Sequence, residues 1–363
     1  MFQTRHILTN CKPLLVLGLV MLLNMNAKLF AQPTQLGTQT VNGAYVSYPL
    51  TDLGIFRQAR VQATSSALSG TRNWEFYEAP FDYDPAWRPY TGGLTLAGYN
   101  MNIFPTAGTA AALFNTGFGG SAGLMPTIAN GYYYTFNVTE YSTPGVPQNE
   151  YMGVVETSYD PVVITSVVQS PAAGAVYPEN SVYVTVTTAA IPSPGENVFV
   201  RYSTSVNFLT SSLLEVTMVG NTGIVEIPCA GASTTIYYYA YTSNRTGTAI
   251  LTDVGVTGQR AHDMSTLNVN NNAGPNYSYT VLPSIGFCGD YYVPSVCYPT
   301  INSFVNALNS GSVSCDVVCY VATGHSETAP VGGINLTQTG TAANTITFQK
   351  IGWGANHIIY ATV

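Results

Sequence analysis

Charge is what this sequence has least of. Asp, Glu, Lys and Arg together supply 8% of its 363 residues, against about 25% in ordinary soluble proteins. Helices that face water carry charged and straight-chain polar residues on their outer side, so an all-α protein is excluded. Lysine is nearly missing, with Lys12, Lys28 and Lys350 the whole set. Nucleic-acid backbones are held by clustered Lys and Arg. No such cluster exists and the formal charge is −7, so no nucleic acid is expected as a partner. Long apolar runs are absent as well. The longest, Pro13–Leu23, has 11 residues, well short of the roughly 20 that cross a bilayer, so no membrane span is expected. Assembled catalytic motifs are missing too: there is no Gly-x-Ser-x-Gly, no His-Glu-x-x-His and no phosphate-binding loop.

What stands in place of charge is Gly (34), Pro (21), Tyr (26) and much Ser, Thr and Asn. These residues suit strands with one wet polar face and frequent turns. With 46% hydrophobic residues the chain has enough apolar surface for real cores. The expected class is all-β.

The first 31 residues have the pattern of a secretory signal peptide: Arg5 and Lys12, then the short apolar run, then Ala31 at a cleavage segment. A secreted or cell-surface location follows. Removing this leader takes three of the eleven basic residues and no acidic one, so the remainder is more acidic still. Five cysteines remain, Cys229, Cys288, Cys297, Cys315 and Cys319, and an exported protein permits disulfides. Cys315 and Cys319 lie on one strand-like segment, where four residues span about 13 Å, too far to bond to each other. Cys288 and Cys297 are their nearest candidates, leaving Cys229 as the odd one. Cys315, Cys319 and His325 match no standard zinc knuckle.

Three regions follow the leader. Residues 32–160 read as an aromatic-rich, sandwich-like β domain, with strand-like runs at Ala44–Tyr48, Arg72–Tyr77 and Tyr132–Val138 and a loop over Thr106–Gly123. Residues 161–281 carry short alternating runs: Val182–Thr188, Asn197–Thr204, Leu213–Val219, Gly223–Pro228, Thr234–Ser243 and Asn276–Val281. Such spacing predicts an antiparallel sandwich. The run GENVFVRYSTSVNFLTSS…GIVEIPCAGASTTIYYYAYTSNR resembles the Ig-like or fibronectin-III-like modules of secreted bacterial proteins. That resemblance implies a spacer or weak binding unit with no catalytic motif.

Residues 282–363 change texture. Ile301, Phe304, Val305 and Leu308 fall at i, i+3, i+4 and i+7, predicting a short helix capped by Thr300 and ended by Gly311. Apolar strand segments follow at Val317–Ala322, Ile334–Thr337, Ile346–Gln349 and Ile358–Ala361. A cap helix and tightly spaced short strands suggest the N-terminal cap and first coils of a right-handed parallel β-helix. The stretch GDYYVPSVCYPTINSFVNALNSG…INLTQTGTAANTITFQKIGWGANHIIYA resembles the opening of β-helix domains in large cell-surface proteins of Bacteroidota. Those proteins usually carry a type IX secretion sorting tail, which this sequence lacks. A lone coil cannot bury its own faces, so the expectation is a truncated solenoid or one that pairs its last edge with a partner.

The most site-like segment is Glu75–Arg88, where four carboxylates interleave with five aromatics. Tyr83 and Trp87 offer ring faces for a sugar, and Asp82 and Asp84 offer oxygens of the kind Ca²⁺ takes. Asp82-x-Asp84 lacks the later Gly and Glu of an EF-hand, so no cofactor is expected. The competing reading is a loop that packs its rings on a sandwich end and turns its acids to water. His262-Asp263 has no accompanying serine and oxyanion hole, and His325 and His357 read as polar bend residues. The functional expectation is a non-catalytic adhesion, spacer or glycan-binding protein, with a polysaccharide or a cell-surface protein as partner. The alternative is the front of a β-helix polysaccharide lyase or hydrolase whose active site lies beyond residue 363. After residue 282 the sequence offers such an enzyme only Asp290, Asp316, Glu327 and Lys350.

Overall fold

The computed structural model describes residues 34–360, apart from 41, 55, 65–67, 69, 72–73, 78–85, 90–102, 105–110, 116–126, 140–149 and 258. Strands dominate, as the composition requires, and the protein is all-β with three helices among the described residues. The expected leader, residues 1–31, lies outside them. No helix among them is long and apolar enough to cross a membrane.

The chain forms two compact units. One holds residues up to 160 together with 244–267, and the other holds 161–243 with 268 onward.

In the first unit twelve strands run in order: β1 (Gln35–Gln39), β2 (Tyr45–Pro49), β3 (Thr51–Asp52), β4 (Phe56–Gln62), β5 (Gly70–Thr71), β6 (Trp74–Tyr77), β7 (Ala86–Pro89), β8 (Ile103–Phe104), β9 (Ala111–Asn115), β10 (Thr127–Ile128), β11 (Tyr133–Thr139) and β12 (Glu150–Thr157). Ten of them make one sheet ordered β2-β1-β6-β7-β9-β12-β11-β4-β3, with β8 beside β12. The small-residue segment expected as loop therefore contains a strand, β9, held between β7 and β12. Leu36, Ala59, Val61, Trp74, Phe76, Tyr134 and Phe136 form the core. Trp74 and Phe136 meet at 4.8 Å between ring centres.

Two short helices, α1 (Gly247–Thr257) and α2 (Arg260–Met264), complete this unit. The sequence pattern assigns no element to residues 247–264. Buried Asn137 on β11 explains the docking. Its Nδ2 donates to the Met264 carbonyl at 3.0 Å and to that of Thr266 at 2.8 Å, and its Oδ1 accepts from Gln58 Nε2 at 2.8 Å. The amide thus occupies carbonyls that the end of a helix leaves without an internal partner.

The second unit begins with nine strands: β13 (Ile164–Ser170), β14 (Val182–Thr188), β15 (Asn197–Ser203), β16 (Ser212–Glu215), β17 (Thr217–Val219), β18 (Thr222–Ile227), β19 (Thr235–Ser243), β20 (Asn268–Asn270) and β21 (Tyr277–Thr280). They divide into a sheet β13-β14-β18-β17 and a sheet β16-β15-β19-β20 with β21 on β19, all antiparallel. One core joins the two sheets. Val182, Val184 and Val186 meet Val198, Val200, Ile236 and Tyr238 there, while Tyr183 between them points outward. Alternation along each strand produces this division. The expected single strand Leu213–Val219 is cut in two because the chain changes sheets at buried Val216. Gly223 makes that crossing possible, since a Cβ there would lie 2.7 Å from the Thr217 carbonyl oxygen.

In the second unit parallel pairing starts at Phe287. Strands β22 (Phe287–Val293), β23 (Val313–Val321) and β25 (Ile346–Lys350) form one parallel sheet. β24 (Ser326–Thr328) and β26 (Ile358–Tyr360) form a second parallel pair. Helix α3 (Ile301–Ser310) connects β22 to β23. It begins at Thr300 and stops before Gly311, with Phe304, Val305 and Leu308 buried. The expected strand Ile334–Thr337 is not one. It runs beside a helix, which offers no ladder, and the Asn309 side chain substitutes by donating to the Asn335 carbonyl and accepting from the amides of Thr337 and Gln338.

Candidate functional site

Of the expected aromatic and acidic site, Asp82, Tyr83 and Asp84 lie outside the described residues. Trp87 lies on β7, where its backbone is in register with Phe76 on one side and Asn115 on the other.

The parallel region contains the more fully defined constellation. Glu327 on β24 is buried beneath the first turn of α3. Its carboxylate accepts the Ile301 N–H at 2.6 Å and the Asn302 N–H at 3.0 Å. Thr300 Oγ1 accepts the Ser303 N–H, and Ser303 Oγ accepts that of Thr300, completing a capping box. Every donor that a helix N-terminus leaves open is thus occupied. His325 Nε2 lies 2.7 Å from the same carboxylate. Burial alone would raise the Glu327 carboxyl, but the His325 hydrogen bond, the two backbone N–H groups and the His325 charge outweigh it and hold it below the ordinary range. His325 is therefore a ligand of a buried carboxylate, where the sequence suggested only a polar bend.

Asp316 does a related task in the open. Its Oδ1 accepts both the Thr345 N–H at 2.7 Å and the Thr345 hydroxyl at 2.8 Å, and these bonds lower its carboxyl. Both acids join segments 26 and 29 residues apart in the chain. On the outer face of the same sheet Tyr292 and Tyr320 stack at 5.4 Å with planes 20° apart. Tyr183 of the sandwich lies close enough that burial first, then Glu226 and Tyr292, raise its hydroxyl.

The cysteines differ from expectation in two positions. Cys288 bonds Cys315 across β22 and β23, with Cα atoms 4.7 Å apart. Cys297 bonds Cys229, with Cα atoms 5.6 Å apart. Cys229, expected to be odd, thus ties the antiparallel sheets to the parallel region, and Cys319, expected to be bonded, is a buried free thiol. Cys315 and Cys319 have the same parity on β23, so alternation does not separate them; Cys315 lies in the register shift between Phe287↔Val313 and Gly289↔Val317, whereas Cys319 is buried in register with Tyr291 and Phe348. Further ties reinforce the staple. The Tyr298 hydroxyl donates to the Glu179 carbonyl at 3.2 Å, and Ser284 Oγ donates to the Glu179 carboxylate.

Two further places carry polar groups beside apolar walls. A groove of about 460 Å³ at the sandwich edge is lined by Ile191, Pro192, Val198, Met218, Glu196 and Glu215. The Glu196 carboxylate accepts the Val162 N–H at 3.0 Å and belongs to the framework. Within the sandwich, Arg201 lies 5.1 Å from the Phe208 ring centre and donates to the Tyr239 hydroxyl at 2.7 Å. This explains why Tyr238 and Tyr239 are both buried although alternation sends them to opposite faces. Among the described residues no three His, Cys, Asp or Glu side chains gather as a metal site would require. Residues that the sequence reading missed, Glu179, Asn309 and Thr345, act through backbone contacts that have no sequence motif.

No protein-family model matches this chain, and a search of curated proteins finds no match. The geometry alone carries the functional argument.

Proposed function

We propose that this is a secreted or cell-surface protein that works without catalysis, as an adhesion, spacer or glycan-binding element. In this reading an Ig-like or fibronectin-III-like sandwich leads into the cap and first coils of a right-handed parallel β-helix, as in large exported proteins of Bacteroidota. One observation carries it: of the three acids in residues 282–363, two are engaged in architecture and the third, Asp290, stands exposed. Glu327 caps α3 and Asp316 clasps Thr345. A general acid or base must instead reach a substrate proton. The disulfide Cys229–Cys297 supports the spacer reading, because it fixes the coil against the sandwich as one stiff body.

Glycan contact is assigned to the Glu75–Arg88 segment, with Trp87 and Tyr83 as stacking rings. The test is sedimentation of the mature chain with insoluble polysaccharides, alongside Trp87→Ala. Retention on at least one polysaccharide, lost in the variant and without release of soluble sugar, is expected. Release of sugar by the chain would overturn the non-catalytic reading, and retention unchanged in Trp87→Ala would overturn the assignment of the site.

A further inference from the structure

We propose that the outward corner where the antiparallel sandwich meets the parallel sheet docks a basic segment of a partner polypeptide, whose Arg or Lys side chains enter among tyrosine rings and carboxylates. The proposal does not depend on the assignment of glycan contact to Glu75–Arg88. Two sheet faces make the corner. On the parallel sheet Tyr292 of β22 stacks on Tyr320 of β23, with ring centres 5.4 Å and planes 20° apart. Among the described residues β22 pairs with β23 alone, so no strand lies beyond Tyr292 on its other side, and the residue is 45% exposed. Asp290, two residues earlier on the same face, is exposed. On the sandwich, Tyr183 of β14 is in register with Glu226 of β18 and is 37% exposed.

Short contacts hold the two faces together. Cys229, three residues after Glu226, is bonded to Cys297, five residues after Tyr292. Ser181, two residues before Tyr183, donates its hydroxyl to Cys297 Sγ at 3.2 Å. Burial first, then Glu226 and Tyr292, hold the Tyr183 hydroxyl above its ordinary range, as befits a ring set among these groups. One Glu226 oxygen, Oε1, is shielded from water and accepts no hydrogen bond among the described residues. A shielded carboxylate without a donor is costly, and a cation at the corner offsets that cost.

Charge selects the occupant. The second unit carries seven carboxylates against two permanent bases, Arg201 and Lys350. Arg201 is 1% exposed, and Lys350 donates to the Gly354 carbonyl. Such a surface repels anionic polymers, and it repels a second copy of this chain, which presents the same acidic face. Aromatic faces attract Arg and Lys, and carboxylates beside them add charge-assisted hydrogen bonds. A neutral sugar stacks on the same rings but gains no Coulombic attraction. Because Glu226 and Asp290 stand on different sheets, a segment bearing several cationic side chains matches the corner better than one small cation.

The experiment measures the fluorescence anisotropy of labelled oligo-arginine with the mature chain, at about 0.02 M and about 0.5 M salt. Saturable binding at low salt, weakened at high salt, is the expected result. Glu226→Gln and Tyr292→Ala should each weaken it by about tenfold. Tyr292→Phe keeps the ring, and Glu215→Gln removes the same charge from an exposed position on the other sheet; each should weaken it less than about twofold. Four results would each overturn the proposal: no binding at low salt, binding unmoved by Tyr292→Ala, equal losses in Glu226→Gln and Glu215→Gln, or binding of the neutral sugar cellohexaose that Tyr292→Ala abolishes. Polysaccharide sedimentation with Trp87→Ala reads the glycan assignment separately, so either can fail alone.

Discussion

The Glu327 carboxylate accepts the backbone N–H of Ile301 at 2.6 Å, so a strand residue caps a helix that begins 26 residues earlier in the chain. A helix offers no strand ladder to the segment packed beside it. A side chain therefore makes the bonds that backbone pairing makes elsewhere, and one carboxylate serves two amides and an imidazole. The fold changes from helix to parallel strand at this contact.

Replacing Glu327 leaves buried donors without an acceptor. Glu327→Gln should cost about 1–3 kcal/mol of stability, read by chemical denaturation of the mature chain. The pH dependence has a definite sign. The folded-state carboxyl lies below its unfolded value, so its contribution is complete above the ordinary glutamate range and fades as pH falls through the folded value. The variant should lose that part of the acid sensitivity. Equal acid sensitivity in both proteins would contradict the capping role.

The Cys229–Cys297 bond closes a separation of 68 residues. On the chain-entropy account a loop of that length contributes roughly 4 kcal/mol. The double variant Cys229→Ala/Cys297→Ala should unfold at correspondingly lower denaturant, while Cys288–Cys315, with a separation of 27, still forms. A midpoint unchanged from the parent would show that the staple is idle.

Burial pushes the Cys319 thiol up to about 12. Thiolate is the reactive form, so iodoacetamide at pH 8 should leave Cys319 unmodified in the native protein and label it fully in denaturant. Mass spectrometry of the alkylated chain reads this directly, and rapid native labelling would place Cys319 at the surface.

Arg201 holds Tyr239, Ser211 and the Phe208 carbonyl with its guanidinium. Lysine keeps the charge but cannot span that fork. Arg201→Lys should therefore lose roughly 2–3 kcal/mol, measured as a fall in the denaturant midpoint. A loss below a few tenths would show that charge alone suffices.

Much of this architecture can be read from the sequence where alternation or a cap states it locally. Val182, Val184 and Val186 announce the inner face of β14, and Thr300 with Ser303 announces the start of α3. The failures share one cause, dependence on a distant partner. Helices α1 and α2 lie where the composition shows no helical stripe, and the end of α2 is held by Asn137, far away in sequence. The Ile334–Thr337 run has strand composition but a helix for a neighbour, so Asn309 takes its backbone groups. Cysteine pairing eluded the spacing argument because nearness along the chain does not say which way a side chain faces.

Disulfide mapping of the mature protein under non-reducing digestion tests the central claim most directly. That claim is a parallel coil stacked rung on rung and fixed to the preceding sandwich. A Cys288–Cys315 peptide requires β22 beside β23, and a Cys229–Cys297 peptide requires the coil's start against the sandwich. The account predicts these two linkages with Cys319 reduced. A linkage that includes Cys319, or a reduced Cys229, would contradict it.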